Sequence, residues 1–475
     1  MLVFFLLFSC SALDDSKGRS DDGLADSDLQ DELYVAPPEL WGVTPVRDRV
    51  ENGGVVEIGL TATVSEQDWF GEGTFEGWTY DGQWPGPVIQ IREGQTLKVN
   101  FESELEEATT IHWHGLRIPD VMDGVPAIQD PVEPGEGFVY EFTPPDPGTY
   151  WYHPHVRSHA QIERGLHGML IVHEADAPVV DQERAFILDD IYLDASGRLV
   201  ESEIVWMQSV HGRMGNRLLV NGSIEALEAE MREGAVERWR LVNTANARTL
   251  QVAISGARWR VIGVDGTLLP EPYEARYLYL PVGRRFDLEV IPEEGEVQLQ
   301  VLLPNNDGGT TPATVFTGTV GDEPSEVSLE DEWLDWGADP LPEIETATQF
   351  LELEFDGVVD EDELVTWTIN GSSWGDHEMI EVEGSTPTEV TLRDVSGRPH
   401  PFHLHGQFFQ VISRNGNPPM YPGLLDTVQM SGDDEVVIHT DFDNHGMWMA
   451  HCHILEHAER GMMTMLNVSH NHDHD

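Results

Sequence analysis

The sequence predicts an all-β chain made of three consecutive Greek-key β-sandwiches. Three observations point there. The chain has 475 residues, too many for one hydrophobic core. Its 45 glycines and 29 prolines favour short strands and tight turns. Its apolar residues alternate over short runs, with no amphipathic helices between them.

The first sandwich is expected over residues 43–180. Val55-Val56-Glu57-Ile58-Gly59-Leu60 and Thr96-Leu97-Lys98-Val99-Asn100-Phe101 alternate with period two, and Glu141 to Tyr152 reads as strand, proline-rich turn, strand. The second is expected over 181–320, with a hairpin signal at Asn221-Gly222 and strands at Trp239 to Asn243 and Arg258 to Val264. Residues 321–345 are acidic, contain proline and alternate little, which predicts a linker. The third sandwich follows over 346–475 and ends in the His-rich tail His470-Asn471-His472-Asp473-His474-Asp475.

Residues 1–10, MLVFFLLFSC, have the short apolar core of a signal segment, without a basic start. The ending Leu7-Phe8-Ser9-Cys10 resembles a bacterial lipobox, which implies that Cys10 carries lipid. Residues 11–42 are Asp-rich, and disorder is expected there. This reading implies export to the periplasm or cell envelope, with membrane attachment only through Cys10. No apolar run approaches the roughly 20 residues of a spanning helix.

Acidic residues number 86 against 26 basic ones, a net charge of −60. Such a surface repels nucleic-acid phosphates, so nucleic acid is excluded as a partner, and it attracts cations. Adaptation to a salty medium accounts for it more simply than an acidic-patch function. The only cysteines are Cys10 and Cys452, in unrelated contexts, so a disulfide framework is not indicated and Cys452 needs its own explanation.

Ten of the 20 histidines fall in four clusters: His112-Trp113-His114-Gly115, His153-Pro154-His155, His400-Pro401-Phe402-His403-Leu404-His405-Gly406, and His451-Cys452-His453-Ile454-Leu455-Glu456-His457. On a strand, the two imidazoles of His-X-His project to one face, so four such pairs supply eight borderline ligands suited to Cu, Zn, Fe or Ni. A lone pair of this kind is more often structural; four together with His-Cys-His are not. Cys452 faces away from its neighbours and so belongs to a different centre. His457 and Met462 follow it by five and ten residues, and His400 supplies a further ligand. Two histidines, a thiolate and a methionine describe a blue-copper electron-transfer site.

These motifs resemble those of the multicopper oxidases. The resemblance spans about Val43 to Val468 and implies cupredoxin-like domains and four coppers. It implies a type 1 copper on His400, Cys452, His457 and axial Met462, and a type 2 copper on His112 and His403. It also implies a type 3 pair, with His114, His153 and His453 on one copper and His155, His405 and His451 on the other. Asp123 falls nine residues after His114, where bacterial cuprous oxidases carry a proton-supplying Asp. Where many relatives have an acidic residue directly after the last type 1 histidine, this chain has Ala458, then Glu459. The implied reaction is one-electron oxidation of phenols or aromatic amines with four-electron reduction of dioxygen to water. Oxidation of cuprous, ferrous or manganous ions is the rival; the acidic surface, the His-rich tail, Met207 and Met214 flanking His211, and the cluster Met447, Met449, Met462, Met463 and Met465 bear on it. A copper nitrite reductase lacks a type 3 pair, and scaffolds of this fold have lost ligands. Eight cluster histidines, with all twelve positions filled, argue against both.

Overall fold

A computed structural model of the chain describes residues 39–469, apart from 48, 69–73, 201–202, 294, 306–307, 328 and 330–331. The signal-like segment, Cys10 and the His-rich tail at 470–475 lie outside the described residues. Among the described residues the chain forms six sheets, packed as three two-sheet sandwiches.

The first sandwich opposes a sheet around Val55–Gln67 and Thr96–Ser103 to one ordered Ile89–Arg92, Gly168–His173, Gly148–His153, His112–His114. Val55–Gln67 and Thr96–Ser103 bury every second residue over most of their length, as the period-two pattern requires. Gly137–Phe142 and Gly148–His153 lie in different sheets, so the proline-rich turn between them crosses the sandwich. The strands bearing His112 and His153 are buried throughout, with Trp113 and Trp151 fully enclosed.

The second sandwich carries no cluster histidine and holds a buried ionic group instead. Asn221 and Gly222 both take positive φ, the geometry of a tight hairpin turn. The expectation of disorder over 11–42 fails at its described end. Leu40–Trp41 adds a parallel strand to Gln182–Ile191. Leu40 is buried, and Trp41 packs on Phe316 and under Arg184, so burial of a large aromatic outweighs the polar composition around it. The described residues of 321–345 have little regular structure beyond Gly321, which ends the strand Thr310–Gly321, yet the segment is anchored. Trp336 is buried, donates to Glu289 at 3.0 Å and stacks beneath Arg238, while Pro342 accepts from Gln410.

The third sandwich sets the sheet containing Gln349–Val359, Thr388–Asp394 and Glu435–Thr440 against one ordered Ile380–Glu383, Met463–Ser469, Gly446–Cys452, His400–Leu404, Thr427–Met430. In that second sheet His403 pairs with His451 and Phe402 with Cys452. Register therefore sorts the donors. His403 and His451 share one face, while Phe402 and Cys452 share the other, with His400 two residues before Phe402 on that same side.

Candidate metal centres

Two donor sets lie on opposite faces of the strand ending at Cys452. On one face, Cys452 Sγ is 3.4 Å from His400 Nδ1 and 3.8 Å from His457 Nδ1, and the two ring nitrogens are 3.1 Å apart. The short helix Leu455–Glu459 returns His457 to the thiol. All three are buried, as is Met462, whose carbonyl accepts from the Cys452 N–H at 3.1 Å. Trp367 flanks both imidazoles, with ring centroids 4.3 Å from His457 and 4.9 Å from His400. Burial pushes the Cys452 thiol up and the His400 imidazole down to about 3. A thiol so enclosed ionises only against a bound cation, and this donor set suits copper.

On the other face, the remaining eight histidines converge. His112 pairs in register with His153, as His403 does with His451. Across the junction of the first and third sandwiches, His114 Nδ1 lies 3.2 Å from His453 Nε2, and the His114 and His403 rings stack at 3.7 Å. His405 Nε2 lies 3.0 Å from His451 Nε2. The Nε2 atoms of His112, His153, His155 and His403 are buried with no hydrogen-bond partner. The outer nitrogens of three of them are engaged, His112 Nδ1 with the Asp123 carbonyl at 2.9 Å, His153 Nδ1 with the Pro154 carbonyl at 3.1 Å and His403 Nδ1 with the Asp426 carbonyl at 2.9 Å. Orphaned nitrogens aimed inward, backed by carbonyls that fix the tautomer, are the arrangement metal-ligating histidines show. Burial, reinforced by neighbouring imidazoles, holds His114, His153, His155, His405 and His453 well below their ordinary pKa, so all are neutral donors. Within these two sets, His112, His114 and His153, then His112, His155 and His405, then His403, His405 and His451, and His400, Cys452 and His457, form groups whose donor atoms lie within 4.8 Å of one another.

Asp123 is fully buried. Its Oδ2 accepts from His405 Nδ1 at 2.7 Å, while Oδ1 has no hydrogen-bond partner and lies 3.2 Å from His112 Nδ1. The turn that delivers it needs Gly124: with φ +79°, an added Cβ would meet the Ile111 carbonyl oxygen at 1.9 Å. Glu459 pairs with His159 at 3.1 Å. Glu456 accepts from the Arg213 N–H and from Asn246, both at 2.9 Å.

One acidic group at the cluster was not foreseen from sequence. Asp426 Oδ1 lies 3.4 Å from His114 Nε2 and 3.5 Å from His403 Nδ1, with both oxygens held by Arg285 of the second sandwich. Burial works to raise its pKa, but the Arg285 charge and the His403 contact outweigh that and hold it far below the carboxylate range. It is a fixed negative charge. No local spacing announces it; the pairing of His403 with Thr427 places it.

A cleft of about 210 Å³ opens at the edge of the first donor set, lined by His457, His211, Met214 and apolar residues including Val210, Leu250 and Ile454.

Comparison with known proteins gives a consistent picture. Residues 63–177, 183–294 and 348–472 each match a family model described as multicopper oxidase. The chain is 28% identical over 430 residues to a multicopper oxidase of Mycobacterium tuberculosis, covering 82% of each chain. The crystal structure of a multi-copper oxidase from Pseudomonas thermotolerans superposes with a TM-score of 0.75 at 30% identity, covering 87% of this chain and 99% of that one. A multicopper oxidase from Campylobacter jejuni, described as a metallo-oxidase, gives a TM-score of 0.80 at 25% identity over 92% and 96%.

Proposed function

Because the chain belongs to the multicopper oxidase family, three cupredoxin-like domains performing copper-dependent oxidation with dioxygen, we propose that it oxidises small phenols and aromatic amines and reduces dioxygen to water. One observation carries this reading. His451-Cys452-His453 presents a thiol to one donor set and two imidazoles to the other, so a few covalent bonds join them.

In the proposed assignment, His400, Cys452, His457 and Met462 hold a type 1 copper, and His112 and His403 a type 2 copper. His114, His153 and His453 hold one type 3 copper, and His155, His405 and His451 the other. The contacts between His114 and His453 and between His405 and His451 support that grouping. Bound copper supplies one-electron acceptance at the thiolate set and dioxygen reduction at the histidine set. The chain's own residues do the rest. The cleft at His457 orients an aromatic ring against the imidazole edge, its apolar lining excluding water. Asp123 orients His405 through Oδ2 and leaves Oδ1 to hold and deliver a proton. Asp426, fixed by Arg285, offsets positive charge beside His114 and His403.

Metal-ion oxidation is the second reading, since His211 and Met214 line the same cleft as His457 and are donors that soft metal ions accept. Dioxygen uptake by the copper-loaded protein, with a phenol and with cuprous ion, separates the two. Faster turnover of the phenol, one dioxygen consumed per four electrons and no hydrogen peroxide, is the expected outcome. A large excess for cuprous ion overturns the substrate assignment, and peroxide release overturns the reduction to water.

A further inference from the structure

A large cavity has none of the cluster histidines in its lining. About 1130 Å³ in volume, it lies between the second and third sandwiches and shares no lining residue with the cleft at His457. Its floor includes Leu425 and Val428, both buried.

Aromatic faces make its walls. Four of the chain's ten tyrosines line it. Tyr273 and Tyr421 stack face to face, centroids 3.6 Å apart and 6° from parallel, and Tyr277 meets Tyr279 edge to face. Tyr277, Tyr279 and Tyr421 nevertheless remain 46–59% exposed. Pro418, Pro419 and Pro422 fix the backbone on either side of Tyr421. Exposed aromatics on a stiff backbone are characteristic of ligand surfaces, because they offer area at low entropic cost.

The charge is opposite to that of the molecule. On a chain of net charge −60, the cleft gathers Arg276, Arg284 and Arg414 against one carboxylate, Glu274. Arg414 is committed to Asp434. Arg284 has its closest carboxylate, Asp265, at 3.6 Å, and its Nε has no hydrogen-bond partner. Arg276 is exposed and forms no ion pair with any described residue. Where carboxylates outnumber basic groups more than threefold, an unpaired arginine beside a half-satisfied one marks a site for an anion.

We propose that this cleft binds planar aromatic carboxylates of the cinnamate class, the ring lying on the tyrosines and the carboxylate meeting Arg276 and Arg284. A bare inorganic anion leaves the ring faces and apolar floor unused, and a neutral arene leaves the guanidinium groups unpaired. No residue of the two donor sets lines the site.

Isothermal titration of the copper-loaded full chain tests it, using cinnamate, which has no oxidisable hydroxyl, its neutral amide cinnamamide, and inorganic phosphate. Cinnamate is expected to bind roughly tenfold more tightly than cinnamamide, the loss of one charge-assisted contact. Phosphate should bind more weakly still. Arg276→Gln and Tyr421→Ala, both at exposed positions, should each weaken cinnamate about tenfold while phenol turnover is unchanged. Equal affinity for cinnamate and cinnamamide, phosphate matching cinnamate, wild-type binding by both variants, or no heat up to about 10 mM cinnamate would each overturn the proposal.

Discussion

Arg285 of the second sandwich grips Asp426 of the third through two hydrogen bonds of 2.9 and 2.6 Å, and neither side chain reaches solvent. The pair ties a domain without cluster histidines to the edge of the histidine cluster, because Asp426 also contacts His114 and His403. Removing one partner strands a buried charge. Arg285→Gln is therefore expected to lower unfolding free energy by about 3–5 kcal/mol in denaturant titrations. The double variant Arg285→Gln/Asp426→Asn should recover part of that loss, since no unpaired charge remains. A single variant as stable as wild type contradicts the role given to the pair.

Asp123 is assigned the proton at the cluster. Asp123→Asn keeps a hydrogen-bonding side chain beside His405 but cannot cycle a proton. Dioxygen consumption is expected to fall roughly 10²–10⁴-fold. Anaerobic bleaching of the visible band by a phenol, which needs no proton at the cluster, should keep its rate. Equal slowing of both would place Asp123 in electron entry instead.

Among the buried groups outside the two donor sets, Glu163 and His167 should make stability depend on pH. Burial raises Glu163 to about 8, opposed by Arg213, and burial lowers His167 to about 4. From pH 4.5 to 8 the folded chain keeps a proton on Glu163 that the unfolded chain releases, so this group destabilises progressively as pH rises. From pH 4 to 6.5 the unfolded chain binds a proton at His167 that the folded chain refuses, so that group stabilises as pH rises. Between pH 4.5 and 6.5 these two oppose one another, and of the two only Glu163 acts above that. Its contribution over pH 6.5–8 is about 2 kcal/mol of lost stability. Glu163→Gln should flatten that slope in unfolding titrations; an unchanged slope excludes Glu163 as its source.

Gly283 presses its backbone against the cluster. With φ +82°, an added Cβ would stand 2.9 Å from His453 Cδ2 and 3.0 Å from His114 Cε1. Gly283→Ala is expected to cost about 1–3 kcal/mol from the backbone alone and to reduce copper retained on dialysis against a chelator, while the Cys452 visible band survives. Full retention would show that the two rings have room to move.

The period-two pattern made much of this molecule legible. His-X-His on a strand fixes two imidazoles to one face; His112 and His114 lie wholly on a strand, while the strands end at His153, Leu404 and Cys452, so His155, His405 and His453 follow just past a strand end, with His403 and His451 in register. Asp426 and Arg285 were not legible, because their meeting depends on packing across 141 residues of chain rather than on local spacing. The strand at Leu40–Trp41 is hidden in the sequence for a related reason. The polar residues before it set the composition, whereas the sheet edge that receives Trp41 lies more than 140 residues onward. The tyrosine and arginine cleft was equally hidden, since Tyr273 and Tyr421 come from different sandwiches.

Two donor sets, joined through Cys452, are proposed to hold copper. That proposal is tested most directly by metal analysis together with absorption spectra of the wild-type protein and Cys452→Ser. The prediction is four coppers per chain with an intense visible thiolate band and a near-ultraviolet shoulder in the wild type. The variant should lose the visible band, one copper and all turnover, while keeping the shoulder. A Cys452→Ser protein that stays blue and active, or a fully loaded wild type without the visible band, would contradict the account.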